Sequence, residues 1–237
     1  MAYNFLGLVN DVNRRLNEVE LTSANFGGAI GFYSQAKEAV NSSIRLVNQQ
    51  EFEWPFNHIT QEQTLTAGTN RYSFPSDAKT VDFDSFRIKQ DDTLNNDTQK
   101  LSIVSYEEYL DKYVDYEYET STGVRELPRR VFRAPNQEWG VVPSPDKAYA
   151  VVFEYYKIPD ELTNYDDVPT VPSQFRHIIV DGAMYYAYMF RGDLNSAQLS
   201  LQKFNEGLKN MRVIYINRYD YVRSTVIDRT PVSLKVV

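Results

Sequence analysis

The chain has 237 residues, 42% of them apolar, with 18 tyrosines, 13 phenylalanines and a formal net charge of −7. That size and composition support a buried core with many strands and interfaces, and exclude disorder on a large scale. With no cysteine there is no disulfide framework and no thiolate metal or redox chemistry; with no basic-then-apolar start and no run near ~18 apolar residues, the chain reads as soluble and non-secreted.

Phe5, Leu8, Val9, Val12, Leu16 and Val19 fall three and four apart, so the spacing predicts an amphipathic helix over about 4–18. Thr22 to Gly28 is a polar break. A second helix, running to about Gln50, carries Tyr33, Ala36, Val40, Ile44 and Val47 on one side and Gln35, Lys37, Glu38, Asn41 and Arg45 on the other. It stops at an aromatic hinge, because Pro55 cannot continue a helix and pushes Trp54 out of the α region. Thr64-Leu65-Thr66, Ala67 to Asn70 and Tyr72 to Pro75 then read as strand, tight turn, strand, a hairpin. Trp54 and Phe56 are expected to pin a strand-rich part against the helices.

Val81 to Ile88 alternates, but its apolar positions change parity between Phe83 and Phe86, which predicts a bulge near Asp84 and Ser85. After a polar loop, Gln90 to Gln99, comes a short strand, Leu101 to Val104. Ser105 with Glu108 then matches a capping box for a short helix to about Val114. Asp115 to Gly123 reads as a mobile acidic loop. From Asp91 to Glu126 there are ten acids against Lys100, Lys112 and Arg125, a local net charge of −7, so the rest of the chain is neutral. A solvated face accounts for such a run, and a surface that repels a polyanion is the sharper reading; a duplex binder needs clustered Lys and Arg instead.

Arg130 to Arg133, Glu138 to Val142 and Tyr149 to Lys157 are further strands, the last apolar on both faces and so placed centrally. Pro159, Pro169 and Pro172 mark an extended linker, and Ser173 is the expected N-cap of a long helix with a stripe of Phe175, Ile178, Gly182, Tyr185 and Met189. Arg191-Gly192-Asp193 reads as a helix end followed by an Asp N-cap rather than an integrin ligand. In the last helix Leu194, Ala197, Leu201, Phe204, Leu208, Met211 and Tyr215 keep a spacing of three and four, a coiled-coil-like seam whose partner is the preceding helix. Tyr221 to Val237 is β-branched and has too little sequence beside it for a core of its own.

Signals for catalysis are weak. His177 and Asp181 share a helix face but make only two metal ligands, and no Gly-rich phosphate loop, G-x-S-x-G or calcium loop occurs. Paired carboxylates among 32 acids, with aromatic rings to stack on sugar, leave a carbohydrate-binding or glycan-cleaving protein as the alternative. No cofactor, metal or enzymatic activity is expected.

Three stretches, in order, resemble the head-to-tail adaptor proteins of short-tailed and related bacteriophages, the family of tail tubular and gatekeeper-like ring proteins. They are Trp54-Pro55-Phe56 with Leu65 to Thr69 and Tyr72 to Asp77; Trp139 to Pro145 with Val152 to Tyr156 and Pro159 to Leu162; and Val168 to Phe175 with Ile178 to Ala183. The resemblance spans about residues 1–219, and the acidic segment 107–122 departs from it.

It implies a virion structural protein, made in the host cytoplasm: a dodecameric ring joining portal to tail, or to a nozzle protein, at the head–tail interface, through which DNA passes without sequence-specific binding in packaging and ejection. The fold expected is α+β: an antiparallel helical bundle from both chain ends (1–58 and 173–219), an inserted small antiparallel β-sandwich or barrel (59–172), and an extended C-terminal arm (220–237). Tyr219, Tyr221, Arg223, Ile227, Arg229, Val232, Leu234 and Lys235 are the expected portal-binding residues. Trp54, Phe56, Phe204, Met211 and Tyr215 are expected to serve packing between parts or subunits. Asp115, Glu117 and Glu119 are candidate channel-facing acids.

Overall fold

The computed structural model describes residues 2–51, 53–89, 98–118 and 125–216. The chain is a mixed α+β protein, with two sheets among the described residues. Helices α1 (Phe5–Arg15) and α3 (Phe32–Gln50) come before the strands, and α6 (Arg176–Arg191) and α7 (Leu194–Tyr215) after them; a short α2 (Ser23–Phe26) sits between the first two. Their apolar stripes meet in one cluster that includes Phe5, Leu8, Val12, Val40, Val47, Ile178, Ile179, Phe204, Leu208 and Met211. Helix α6 lies against α1, α3 and α7 alike.

The approach is close because Gly182 has no side chain: a Cβ there would sit 2.2 Å from Ser43 Oγ and 2.8 Å from the Phe204 ring. The Arg191-Gly192-Asp193 reading holds, with Gly192 in the left-handed region (φ 78) ending α6 and the Asp193 carboxylate accepting from Ser196 N–H at the start of α7.

Several local expectations are corrected. Helix α1 ends at Arg15 with Asn17 at φ 56, which turns Val19 out to 74% exposure instead of continuing the stripe. The polar break holds the short α2, in which Thr22 N–H donates to the Asn25 side chain. Ser173 does not cap α6: it opens a 3-10 turn, Ser173–Phe175, and the helix follows without a side-chain cap. The buried face of α6 is Ile178, Ile179, Gly182, Ala183 and Ala187, while Met189 is exposed. The proline-rich stretch read as an extended linker has no helix or strand and is also packed: Leu162 and Val171 are buried, Asn41 brackets the Leu162 peptide, and Phe5 and Leu6 donate to its carbonyls.

Strands β1 (His58–Leu65), β3 (Ala78–Lys89), β4 (Thr98–Lys100) and β8 (Tyr149–Lys157) form one sheet in the order β1-β8-β3-β4. Strands β2 (Arg71–Ser73), β5 (Ser102–Val104), β6 (Arg130–Ala134) and β7 (Glu138–Val142) form the other, in the order β2-β7-β6-β5. The central placement of β8 holds, and so does the bulge, as a register shift in β3 between Asp82 and Arg87. The hairpin does not: β1 pairs with β8 and β2 with β7, so the turn Ala67–Asn70 carries the chain from one sheet to the other. Nor are the sheets wholly antiparallel, because β5 runs parallel to β6. Leu65, Phe86, Ile88 and Phe153 of the first sheet share a cluster with Val131, Trp139 and Val141 of the second, with the Phe86 and Phe153 rings stacked at 4.7 Å.

Helix α4 (Tyr106–Lys112) starts with only half a capping box, Ser105 Oγ accepting from Glu108 N–H while the Glu108 carboxylate takes Lys112. The stretch read as a loop begins as a helical turn, α5 (Asp115–Tyr118).

Candidate assembly surfaces

The joint between helices and strands is built by the end of α3. Trp54 is fully buried in the helical cluster, and its indole N–H donates to Val47 O at 3.0 Å, satisfying a carbonyl of the last turn of α3. Its ring stacks on Phe56 at 5.4 Å, and Phe56 meets the edge of Tyr215 at 5.9 Å. Trp54 therefore packs inside the helical half, and the link to the strands comes from residues the sequence reading did not single out. Lys79, on β3, donates to Asn48 O and to Glu51 O, and Asn57 donates to the buried Asn48 side chain at 2.7 Å. Burial lowers the Lys79 pKa, as expected for a cation withdrawn from water onto a helix C-terminus. The Lys79 contact has no local sequence signal. Of the other packing residues named from sequence, Phe204 and Met211 are buried in the helical cluster and Tyr215 is half-buried, also meeting Phe175 and Gln174.

A second built feature docks the acidic helices on the second sheet. Tyr109 is fully buried, and its ring lies 3.8 Å from Phe132, which in turn occupies the space where a Gly140 side chain would be. Its hydroxyl donates to the Glu117 carboxylate, which also takes Arg71 Nη2 at 2.9 Å and Nε at 3.1 Å. Burial, and then the bond to Glu117, push the Tyr109 pKa well above the usual phenol range. Glu117 is thus compensated within the chain, while Asp115 is exposed. Glu119 and all eight named arm residues, from Tyr219 to Lys235, lie outside the described residues.

The histidines are absorbed structurally. His58 Nε2 lies 3.1 Å from Glu154 and its ring stacks on Tyr156, and the Asp181 carboxylate near His177 is taken by Arg15. Among the described residues no group of three or more His, Asp or Glu is placed to hold a metal ion, and no helix is long and apolar enough to cross a membrane.

Several exposed apolar side chains were not anticipated. Phe190 and Leu194 at the α6–α7 turn are 58% and 63% exposed, Ile30 in the α2–α3 connection is 81% exposed, and Phe190 lies 6.5 Å from Phe32, over which Arg191 sits. The apolar residues beside Gly31 and Gly192 were the available signal.

Among the described residues, then, the polar and titratable groups singled out from sequence serve packing and capping. The family model for SU10 adaptor proteins matches residues 3–229, so the chain belongs to this family of phage head–tail adaptors. No curated protein matches the chain.

Proposed function

We propose that this virion adaptor joins the portal to the tail as a dodecameric ring, with DNA passing through its centre. The observation that carries the reading is the family match from residue 3 to residue 229, which takes in the helical half, both sheets and the start of the C-terminal arm. In this reading the helices from both chain ends form a bundle, the two sheets face each other as a small sandwich, and 220–237 reaches onto the portal. The protein acts by binding rather than catalysis. The exposed flank of α7, with Leu199, Val213 and Ile214, supplies apolar area for packing between subunits.

Electron microscopy of the purified protein mixed with its portal tests the reading. A ring on the portal is the expected result, and free monomers beside bare portals overturn it. Removing Tyr221 to Val237 is expected to abolish portal binding with the fold intact; normal assembly of the shortened chain would remove the arm from the interface. The acidic segment lines the channel in this scheme through Asp115 and Glu119. Glu117 is left out, because Arg71 and Tyr109 hold its carboxylate. Reversing Asp115 and Glu119 to lysine is expected to slow DNA passage, and unchanged packaging and ejection would discard the channel role.

A further inference from the structure

We infer that residues 218–227 add to the free edge of β1 within the same chain, as a fifth strand of the first sheet. Three of the four sheet edges are short: β2, β4 and β5 have three residues each. Short edges are poor templates for further pairing. Strand β1 is different. It has eight residues, pairs with β8 at every one of them without a register shift, and has no partner on its other side among the described residues. In an antiparallel pair every second residue turns its N–H and C=O away from its partner. The sequence His58 to Leu65 holds no Lys, Arg, Pro or bulge, the devices that keep an open edge from recruiting another strand.

The occupant is indicated by where the chain leaves the described structure. Helix α7 ends at Tyr215, whose ring touches Phe56, and the turn Pro55–Asn57 leads directly into His58. Arg212 fixes that helix end, donating to Gln50 O and pairing with Glu51 at 3.4 Å. The chain therefore emerges beside the first residue of β1, and a strand running on from there is parallel to it. Eight residues of strand span about 26 Å, so ten residues suffice to cover the edge. Residues 218–227, Arg-Tyr-Asp-Tyr-Val-Arg-Ser-Thr-Val-Ile, contain no Gly or Pro and are rich in β-branched and aromatic types. The exposed face beside β1 carries charges of both signs, with Glu62, Glu154 and Asp82 beside Lys89, which pairs with Glu62 at 2.5 Å, Arg87 and His58. This pairing withdraws 220–227 from the arm proposed to reach the portal and leaves 228–237, with Pro231, Arg229 and Lys235, for that contact.

Hydrogen exchange on the isolated full chain tests this independently of any portal. Amides of 58–65 are expected to exchange at least about tenfold more slowly in the full chain than in a chain ending at Ile216, and the doubly substituted Val222→Pro/Val226→Pro chain should match the truncation. Equal exchange in all three overturns the inference. Because the chain has no cysteine, Thr60→Cys can be combined with Asp220→Cys or Tyr221→Cys without background. An intrachain disulfide is expected under mild oxidation; a covalent dimer, or no disulfide with either partner, overturns the assignment to the same chain. These outcomes leave the portal-binding reading standing or falling on its own experiment.

Discussion

Trp54 and Glu117 show two ways in which one side chain holds this chain together. Trp54 combines a fully buried ring with a bond to the end of α3, so Trp54→Ala should cost about 3–5 kcal/mol, read as a lower midpoint in a urea titration. A loss below about 1 kcal/mol would mean that neighbouring rings collapse into the space. Glu117 takes Arg71 and Tyr109 together, so Glu117→Gln should cost about 1–3 kcal/mol, with α4 becoming more accessible to proteases before the rest of the chain. The Trp54 role was half legible: a large ring before a proline at a helix end reads as buried, but not as belonging to the helical side. Lys79 was not legible, because its partners Asn48 and Glu51 lie about thirty residues away and nothing local marks a lysine that ends up on carbonyls.

At the scale of elements, the longer helices and strands followed from periodicity, while the short α2, α5 and β4, which fall in stretches read as breaks or loops, and the strand pairing did not. The spacing in α3 and α7 is regular enough to fix type and most of the buried face, although Leu194, the first residue of the expected α7 seam, is 63% exposed; in β8 apolar residues on both faces gave its central place but not which face is buried. Partner choice depends on the turn between strands: Ala67 to Asn70 has the composition of a hairpin turn, yet Leu65 faces a core shared by both sheets, and the chain crosses between them instead. The parallel β5–β6 pair was equally hidden, because a three-residue strand has no pattern that encodes direction. Contact between α3, α6 and α7 can be tested at one atom. Gly182→Ala places a methyl group against Ser43 and Phe204 and should destabilise by about 1–3 kcal/mol in a thermal melt, whereas Gly27→Ala, where nothing lies within 4 Å, should have little effect.

For the molecule as a whole, the tyrosines set a pH limit. Tyr3, Tyr109, Tyr149 and Tyr155 all have pKa values raised, first by burial and, for the last three, also by carboxylate neighbours; Tyr149 is pushed up to about 12 from the ordinary value of 10.0. The folded chain holds these phenols protonated where the unfolded chain releases them, so their stabilisation is complete below pH 10 and is lost as pH rises through the folded values. Far-ultraviolet circular dichroism followed alongside phenolate absorbance should show unfolding and ionisation together in strongly alkaline solution. Ionisation of these groups ahead of unfolding would contradict it.

The helical half also fixes an order of events during synthesis. Helices α1 and α3 are made early, but their apolar faces are covered by α6, which follows the whole strand-rich stretch from 51 to 175. The contacts that close this half are therefore among the most distant in the sequence, and contacts of that kind form slowly. A chain still on the ribosome can complete the sheets first, since β1 to β8 are all made by Lys157, while α3 waits with its stripe open. The strand-rich part is thus positioned to act as a folding template: by ordering Lys79 and the turn at Asn57, it holds the end of α3 in place until the last two helices arrive.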